Sequence, residues 1–440
     1  MRDLILTAVV CMILPVALLR PWIGVLAFFW ISFMNPHKLT WGFATTMPFA
    51  LLIGTATLVG VVLAKDRKNV PWTAEVVLMS LLAIYFTITT FFAWAPREAW
   101  IYWDKVIKII LMTLVMGMMI HGKKRIYYFL MTVVLSIGFY GAKGGVHSLV
   151  SGGGNNIYGP EGSFIGSNNT IGLALCMILP LTVFFAREEK RIWFKRLLWA
   201  VAVLSAIATI FTYSRGAMLG LATVLILMFM RSKAKLWALF VFIPLAYLGY
   251  QWAPDKIFKR AGQIETFEQD NSAMQRLQAW SVAWNLAKDF PLTGAGFEYE
   301  YSPNEERWLS YADRKYDAFG QKSRAVHSSY LEVLGQHGYI AWVLFLLMLI
   351  LMLKRLNRLR KIGSRYPELA WVDSYAEGIL ISMAGFLITG LFVNAAYFDL
   401  MYAYLMMTAI LQREVNLHIG PQPFSAARTA HAIPTKNQPI

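Results

Sequence analysis

A lone arginine, Arg215, separates two apolar stretches of the chain with almost no loop between them. An arginine in the hydrocarbon of a bilayer costs about 2.5–3.5 kcal/mol at the centre and less near an interface. Its planar guanidinium offers paired donors that match the oxygens of a phosphate. Ser214 and Gly216 allow the backbone to turn sharply and approach a ligand. The segment therefore predicts an anion-binding site; the alternative is an arginine that only extends to the membrane surface.

Two further residues could act with Arg215 if the chain brings them to the same side of a membrane. Arg276 lies in a segment of mixed charge, where it either shares the charge of a diphosphate with Arg215 or simply faces solvent. His327 stands where that segment enters the next apolar stretch. A histidine with a pKa near about 6.5 can accept a proton at neutral pH. His327 is therefore a candidate general base for an incoming hydroxyl, or alternatively a hydrogen-bonding residue at the interface.

Other polar or glycine-rich positions give weaker predictions. His337 lies ten residues after His327, about 15 Å away along one straight helix, so the two cannot bind one metal from such a helix. It is either a second functional group or a packing residue. Nine glycines within 141–166 favour a flexible lid over a nest of backbone amides for an anion. Asn168 and Asn169 follow, where they either cap a helix or hydrogen-bond a sugar.

Membrane-spanning helices must position these side chains. The 440 residues are 57% hydrophobic and 15% charged, whereas ordinary soluble proteins carry about 25% charged residues. Apolar stretches recur near the ~20 residues that cross a bilayer as a helix. The prediction is an all-α polytopic integral membrane protein with about twelve transmembrane helices, the first two stretches being short enough to form one kinked pair. The stretches are 4–19, 22–34, 47–64, 74–95, 104–120, 126–142, 167–186, 197–213, 216–230, 236–252, 329–353, 378–396 and 399–412.

The distribution of charge predicts which side of the membrane each loop faces. Five short loops hold 20 of the 41 lysines and arginines and only three acidic residues. They are 65–68, 123–125, 187–196, 231–235 and 354–365. Basic residues concentrate in cytoplasmic loops of membrane proteins, so the net charge of +16 reflects topology and argues against nucleic-acid binding. The alternate loops, including the long segment 253–328, are then exported.

The exported segment 253–328 is too long for a simple connection and should carry structure of its own. Within it we predict an amphipathic helix from Asn271 to about Asp289. One face of that helix would carry Leu277, Trp280, Trp284 and Ala287. A second amphipathic helix is predicted over 304–318, with both elements lying along the membrane interface.

These boundaries divide the chain into four parts. Residues 1–252 hold transmembrane helices with a glycine-rich exported loop near 143–166, and residues 253–328 form the large exported loop. Residues 329–412 form the C-terminal transmembrane helices. The tail, 413–440, has four prolines and little apolar content, which predicts disorder.

Several kinds of site have no sequence signal. Cys11 and Cys176 both lie in apolar stretches, so no disulfide framework is predicted. The sequence lacks a Walker-type phosphate loop, paired His/Cys metal spacing and an Asp-x-Asp carboxylate pair. We therefore predict no cofactor, no metal site and metal-independent chemistry at the exported face.

The motifs, in this order, resemble the O-antigen ligase and polymerase superfamily of polytopic inner-membrane glycosyltransferases. They are Gly166-Ser-Asn-Asn-Thr170, Tyr213-Ser-Arg-Gly-Ala217, Arg276 in Arg-Leu-x-x-Trp280, Phe290-Pro-Leu-Thr-Gly-Ala-Gly296 and His327-Ser-x9-Gly338. The residues before about 125 resemble the family only in hydropathy. Ala341 and Gln336 depart from the ligase and polymerase patterns respectively. The choice between ligase and polymerase therefore stays open.

The resemblance implies a donor glycan on undecaprenyl diphosphate and an acceptor hydroxyl on lipid A–core, at the periplasmic face of the inner membrane. Arg215 and Arg276 would bind the diphosphate, and His327 would be the general base of a single inverting displacement. Other substrate-binding residues would be His337, Asn168, Asn169, Gly294 and Gly296. Membrane lipids are further expected partners.

Three alternative functions remain from the sequence. An O-antigen polymerase or a protein O-glycosylation ligase would use the same donor and site with another acceptor. A transporter of polyisoprenoid-linked glycans is the alternative from another class. The unusual polar residues are predicted to cluster at one face of the membrane. This favours an enzyme over a transporter that works by alternating access.

Overall fold

The structure is a computed structural model that describes residues 1–66, 68–232, 271–301, 305–319 and 322–420. Every regular element in these ranges is an α-helix or a short 3₁₀-helix. The predicted all-α class is therefore confirmed. The predicted stretch 236–252 and most of the tail lie outside the described residues.

Fourteen α-helices, α1 to α14, follow one another in the described residues. Their bounds in chain order are Arg2–Leu19, Pro21–Met34, Phe49–Leu63, Ala74–Thr90, Pro96–Met119, Gly122–Val150, Asn168–Glu188, Ile192–Ile210, Arg215–Arg231, Asn271–Asp289, Glu305–Leu309, Ser329–Gly363, Ala370–Thr389 and Asp399–Ile419.

Six helical segments of the described residues are long and apolar enough to cross a membrane. They are Arg2–Leu19, Gly122–Val150, Asn168–Glu188, Ile192–Ile210, Ser329–Gly363 and Pro367–Thr389. Helices α2, α3 and α4 are apolar but shorter. These segments establish the membrane-helix character of the chain, while the count of about twelve spans stays a prediction.

The last helix, α14, forms the centre of the bundle. Every residue from Leu400 to Leu411 is buried, because α14 is surrounded by α4, α5, α12 and α13. A buried ion pair ties this centre together: Arg355 of α12 donates to Glu75 Oε2 of α4 at 3.1 Å and to Gln412 Oε1 of α14 at 3.3 Å. A buried charge is tolerated when it is paired in this way. Arg355 falls in the predicted basic loop 354–365, but the structure places it in helix α12, so part of that positive charge is structural.

Helix α6 continues further into the glycine-rich stretch than predicted, and ends at Val150 instead of giving way to a loop near 143. The glycines allow this helix to pack closely on α8. A Cβ atom at Gly141 would lie 2.0 Å from Ser205 Oγ, and one at Gly145 would lie 2.4 Å from the carbonyl oxygen of Leu204. Small residues are typical of such close helix contacts in membranes. Only the later glycines belong to a loop.

Two other boundaries differ from the predicted ones. Helix α13 ends at Thr389, and a mostly buried non-helical stretch, the 390–398 segment, connects it to α14. The prediction had assigned most of that stretch to a span over 378–396. Helix α14 runs to Ile419, so the first residues of the predicted disordered tail are helical.

The described part of the predicted periplasmic loop has a hydrophobic core of its own. Helix α10 runs over the predicted range, Asn271–Asp289. Its buried residues are Gln278, Ala279, Val282, Ala283, Leu286 and Ala287. Of the predicted apolar face, Ala287 is buried, whereas Trp284 is 43% exposed. Small side chains face the core because Trp308 and Tyr299 fill it from the opposite side. The predicted second helix is shorter, Glu305–Leu309, with a 3₁₀ turn after it.

Candidate active site

His327 occupies a strained position at the junction between the loop core and helix α12. Its φ angle of +52° lies in the left-handed region, which is rare for residues other than glycine. The strain is held by its neighbours in the chain. Trp280 Nε1 of α10 donates to the carbonyl oxygen of Val326 at 2.9 Å. Ser329 N donates to the carbonyl oxygen of Gly390 at 2.8 Å. Strained backbone that is held from both sides is typical of functional sites.

Positive charge surrounds the His327 imidazole. Burial and, to a smaller extent, the nearby guanidinium groups of Arg276 and Arg324 together lower its pKa to about 4. The ring is therefore neutral at physiological pH and can accept a proton. This electrostatic interaction brings together two of the predicted site residues, Arg276 and His327.

Arg324 was not predicted from the sequence. It lies three residues before His327, and its guanidinium donates to the carbonyl oxygen of Lys322 at 3.3 Å from both Nε and Nη2. A second arginine beside a candidate histidine is a signal for an anion site that the spacing could have given.

Arg215 is the first residue of helix α9, at a tight corner after α8. The hydroxyl of Ser214 caps the helix by accepting from Ala217 N at 3.2 Å. Tyr213 precedes it with a φ angle of +54°, and its buried hydroxyl donates to the carbonyl oxygen of Gly153. The corner is thus fixed by the glycine-rich loop, which leaves Arg215 half-buried at the end of a well-capped helix.

The 390–398 segment connects the Arg215 corner to His327. On one side, a Cβ atom at Gly216 would lie 2.9 Å from the Cβ of Phe392. On the other side, Ser329 Oγ donates to the carbonyl oxygen of Val393 at 2.8 Å. Arg215 and His327 are each within two residues of these contacts. The segment therefore links the backbone next to Arg215 with the backbone next to His327.

The non-helical 390–398 segment was not predicted from the sequence, which indicated a membrane span over 378–396. It contains Asn394, whose Oδ1 atom is buried and has no hydrogen-bond partner among the described residues. A buried acceptor without a partner is costly. The signal was present in Gly390 and in the polar Asn394 within an otherwise apolar run, but hydropathy outweighed it.

His337 lies in a different environment from His327. It is fully buried, and its Nδ1 lies 2.6 Å from Thr89 Oγ1 of α4. The rings of Phe86 and Phe297 approach it with centroid distances of 4.4 Å each. These contacts favour the packing alternative for His337 over the predicted role in substrate binding.

Gly294 and Gly296 lie in a joint where the loop core packs closely against the backbone of α12. Their φ angles are +59° and +83°, and Gly296 N donates to the carbonyl oxygen of Gln336 at 2.9 Å. A Cβ atom at Gly294 would lie 2.4 Å from the carbonyl carbon of Gln336, and one at Gly296 would lie 2.2 Å from the Cβ of Ala93. Close packing accounts for both glycines. Their role in substrate binding stays a prediction.

Helix α12 has a break at the same joint. Gly338 has φ +76° and ψ −172°, a combination available almost only to glycine. Tyr339 N donates to the carbonyl oxygen of Pro291 at 2.9 Å instead of to its own helix. The glycine-rich stretch 291–296 thus locks the loop core onto α12 and fixes the direction of the helix that follows His327.

The predicted pair Asn168 and Asn169 opens helix α7. The helix cap is the preceding residue, Ser167, which exchanges hydrogen bonds with Thr170 in a capping box. Asn168 Nδ2 donates to the carbonyl oxygen of Thr212 at 3.0 Å. Asn168 therefore supports the Arg215 corner, while Asn169 is half-buried in the first turn.

Two acidic residues of the loop core were also missed. Burial raises the pKa of Glu300 to about 8, with a further contribution from Glu298. Burial raises the pKa of Glu298 to about 6, which nearby Lys105 partly offsets. Glu298 also has a left-handed φ angle of +56°. It is a second group that could accept a proton near neutral pH.

No group of three or more His, Cys, Asp or Glu side chains within the described ranges could hold a metal ion. The prediction of metal-independent chemistry stays a prediction.

Two family models match the sequence. Residues 200–346 match a family described as O-antigen ligase, and residues 1–190 match a family of unknown function (DUF5935). The first match contains Arg215, Arg276 and His327, and the second contains the pair Asn168 and Asn169. No curated protein matches the chain.

Proposed function

Because the chain carries an O-antigen ligase domain over residues 200–346, we propose that it transfers a glycan from undecaprenyl diphosphate to a sugar hydroxyl of lipid A–core. The predicted resemblance to the O-antigen ligase superfamily is confirmed, and the domain supports ligase- or polymerase-type glycosyltransferase activity in general. The donor, the acceptor and the periplasmic location of the site are our proposal.

One observation carries the proposed site: a neutral, backbone-strained His327 lies beside Arg276 and Arg324. A base and cations in one place suit a reaction in which a hydroxyl loses a proton and a phosphate leaves as an anion. The 390–398 segment adds the Arg215 corner to this arrangement through its contacts with Gly216 and Ser329.

In the proposed reaction, the acceptor hydroxyl attacks the anomeric carbon of the donor sugar. The bond from that carbon to the diphosphate oxygen breaks as the new glycosidic bond forms, with inversion. The hydroxyl proton passes to the imidazole of His327, a step worth typically ~10²–10⁴-fold. Undecaprenyl diphosphate leaves as an anion, which Arg215 and Arg276 stabilise as fixed cations.

The low pKa of His327 suggests that donor binding activates the base. Arg276 and Arg324 hold the pKa down in the protein without substrate. A bound diphosphate would offset both positive charges, and an opposite charge near a group favours its protonated, cationic form. The pKa of His327 would therefore rise when the donor is bound. The imidazole would become a stronger base only in the complex that needs one.

The test is glycan transfer by the purified protein in lipid nanodiscs, with a lipid-linked glycan as donor. We expect Arg215→Ala and Arg276→Ala each to reduce transfer by about 10²-fold or more, as for the loss of a charge-stabilising donor. Arg365→Ala is the matched control, since Arg365 is exposed in one of the basic loops. Normal transfer by both site variants would reject the diphosphate site.

The acceptor is tested separately. Offering lipid A–core, a second lipid-linked glycan and a serine-containing peptide in parallel separates a ligase, a polymerase and a protein O-glycosylation ligase. Product on lipid A–core alone supports the proposal. Product only on either of the other two acceptors keeps the donor site and replaces the acceptor.

A further inference from the structure

Helices α4 and α12 each carry a stripe of exposed, large apolar side chains. Residues three or four positions apart share one face of a helix. The stripe of α4 consists of Val77, Leu81, Ile84 and Ile88, and that of α12 consists of Ile340, Val343, Leu347 and Ile350. Both helices are apolar, α12 is long enough to cross a membrane, and the two pack against each other. An exposed apolar face on such a helix contacts lipid.

A non-helical turn after α10, residues 290–293, joins the loop core to both helices beside these stripes. Tyr85 Oη of α4 donates to the carbonyl oxygen of Leu292 at 2.6 Å. Tyr339 N of α12 donates to the carbonyl oxygen of Pro291 at 2.9 Å. Each tyrosine is the sequence neighbour of a residue in the stripe of its own helix. The 290–293 turn therefore lies at the edge of the lipid-facing surface.

The 290–293 turn contacts α4 well before the C-terminal end of that helix. Tyr85 lies five residues before Thr90, the last residue of α4, which is about 7 Å along a helix. The next exposed residues along the chain are all apolar: Ile88, Phe91 and Phe92. Leu292 is therefore at a level where the neighbouring surface of α4 is still suited to lipid.

The loop core presents large apolar side chains of its own at this edge. Leu292 is 58% exposed. Trp284 of α10 is also exposed, and its ring meets that of Tyr339 edge to face at a centroid distance of 6.3 Å. Exposed apolar patches mark contacts with a membrane or with another protein, and tryptophan is typical of the membrane interface. Trp284 and Leu292 together are the loop patch.

Three carbonyl groups of the 290–293 turn have hydrogen-bond partners within the protein. The carbonyl oxygen of Phe290 accepts from Gly294 N at 2.9 Å, and those of Pro291 and Leu292 accept from the two tyrosines. Proline has no N–H group that would need a partner. Backbone polar groups without partners are costly next to hydrocarbon. These hydrogen bonds therefore allow the turn to leave water.

Charged residues limit how deeply the turn can insert into a bilayer. Lys288 and Asp289 are the last residues of α10, and both are exposed. A charged side chain in hydrocarbon is costly, whereas a lysine near the surface can extend its amine to the head groups. The turn therefore suits the boundary between the head groups and the acyl chains.

We propose that the 290–293 turn and Trp284 insert into the bilayer at this boundary, with Leu292 in contact with acyl chains. The sequence predicted only that helix α10 lies along the membrane interface, and the structure points to the turn after it as the element that inserts. Lipid fits the loop patch better than a second copy of the chain, because the two tyrosine contacts join the patch to the lipid-facing stripes of α4 and α12. The insertion would hold α10, which carries Arg276, at the membrane surface. It does not depend on the proposed donor, acceptor or reaction.

A fluorescent label at position 292 tests the contact in the full chain in lipid nanodiscs. Nitrobenzoxadiazole is attached to Leu292→Cys in a Cys11→Ser background, where the remaining Cys176 is buried and protected from labelling. Quenching by lipids with a nitroxide on the acyl chain reports contact with the bilayer, and quenching by aqueous iodide reports contact with water. We expect strong quenching by the nitroxide lipids and weak quenching by iodide.

Three further label positions calibrate the measurement. Val343→Cys, on the stripe of α12, is the reference for lipid. Glu306→Cys, on α11 of the same loop core, is the reference for water, because an exposed carboxylate avoids hydrocarbon. Trp284→Cys is a second position within the loop patch, and it keeps the test decisive if the label at position 292 disturbs the turn.

The two quenchers separate lipid, water and protein as the surroundings of the loop patch. Nitroxide quenching at position 292 or 284 that is at least half as strong as at position 343 supports the insertion. Iodide quenching at both patch positions that equals the quenching at position 306 overturns it, because the turn then faces water. Protection of both positions from both quenchers also overturns it, because protein, including a second copy of the chain, then covers the patch.

Discussion

His327 lies just before helix α12, and His337 lies ten residues later within it. The two histidines differ in almost every physical respect. His327 is half-buried, lies on strained backbone and has two guanidinium groups nearby. His337 is fully buried, bonded to Thr89 and enclosed by aromatic rings. The break at Gly338 follows immediately. The imidazole of His327 lies near two guanidinium groups, whereas the imidazole of His337 joins α12 to α4.

This difference shows that residue type and membrane depth do not settle the role of a histidine. At His327, the guanidinium groups of Arg276 and Arg324 act on an imidazole that lies on strained backbone. His337 is packed among aromatic rings, with its Nδ1 bonded across a helix interface and its buried Nε2 without a hydrogen-bond partner among the described residues. The variants below test this contrast by removing one feature of each region.

The largest expected effect is on catalysis. His327→Ala should reduce the rate of transfer by about 10²–10⁴-fold, because it removes the proposed general base. His337→Gln should keep near-normal transfer per folded molecule. The measurement is initial rate in nanodiscs against the amount of monodisperse protein, with the exposed His147→Ala as control.

Glu298 provides the sharpest challenge to that assignment. If Glu298→Gln abolishes transfer while His327→Ala does not, the carboxylate is the base and the role of His327 is rejected. If both lose activity, the pH dependence of the residual rates distinguishes a base from a residue that positions the acceptor.

The next largest effect is on stability, at the joint beside His337. Gly338→Ala should destabilise the protein by about 3 kcal/mol or more, since its backbone conformation suits only glycine. The added Cβ would also lie 2.4 Å from the carbonyl oxygen of Pro291. Thermal unfolding in detergent measures the loss. Gly54→Ala, where the new Cβ meets only ordinary contacts, is the control, and equal melting temperatures would contradict the role of the joint.

A smaller effect is expected from the hydrogen bond of His337. Thr89→Val should cost about 1–3 kcal/mol of stability, because a buried Nδ1 loses its partner. Thr90→Val is a closely matched control. Thr90 is equally buried, but its hydroxyl donates only to Phe86 within its own helix. Identical melting temperatures for the two variants would show that the bond across the interface does not stabilise the fold.

Much of the helical framework could be predicted from the sequence. Runs of apolar residues and clusters of lysine and arginine are local signals, and helix α10 begins and ends where its pattern indicated. The predictions that were wrong concern features that depend on contacts between distant segments. Gly141 and Gly145 were interpreted as loop residues because their tight packing on α8 has no local signature.

Several residues of the candidate site could be predicted from the sequence, but the contacts between them could not. Arg276 and His327 are brought together because α10 packs against α12, and Trp280 holds the backbone of Val326 between them. The role of the 390–398 segment could not be predicted, because it depends on contacts with distant parts of the chain. Val393 accepts from Ser329, and Phe392 lies against Gly216. Arg324 was identifiable in principle, but only after its distance in space to His327 was known.

The smallest expected effect is the pH dependence of stability that His327 contributes. Its pKa is about 4 in the folded protein and near 6.5 when unfolded. The unfolded chain therefore binds more protons between these values, and stability should fall as the pH decreases from 6.5 towards 4. Between pH 7.5 and 5.5 the loss is about 1 kcal/mol. His327→Gln should lack this part of the acid sensitivity, while the exposed His147→Gln keeps it. Parallel pH dependences of the melting temperature for the parent protein and His327→Gln over this range would mean that burial and the two arginines do not depress the pKa of His327. The two histidines would then differ in packing alone.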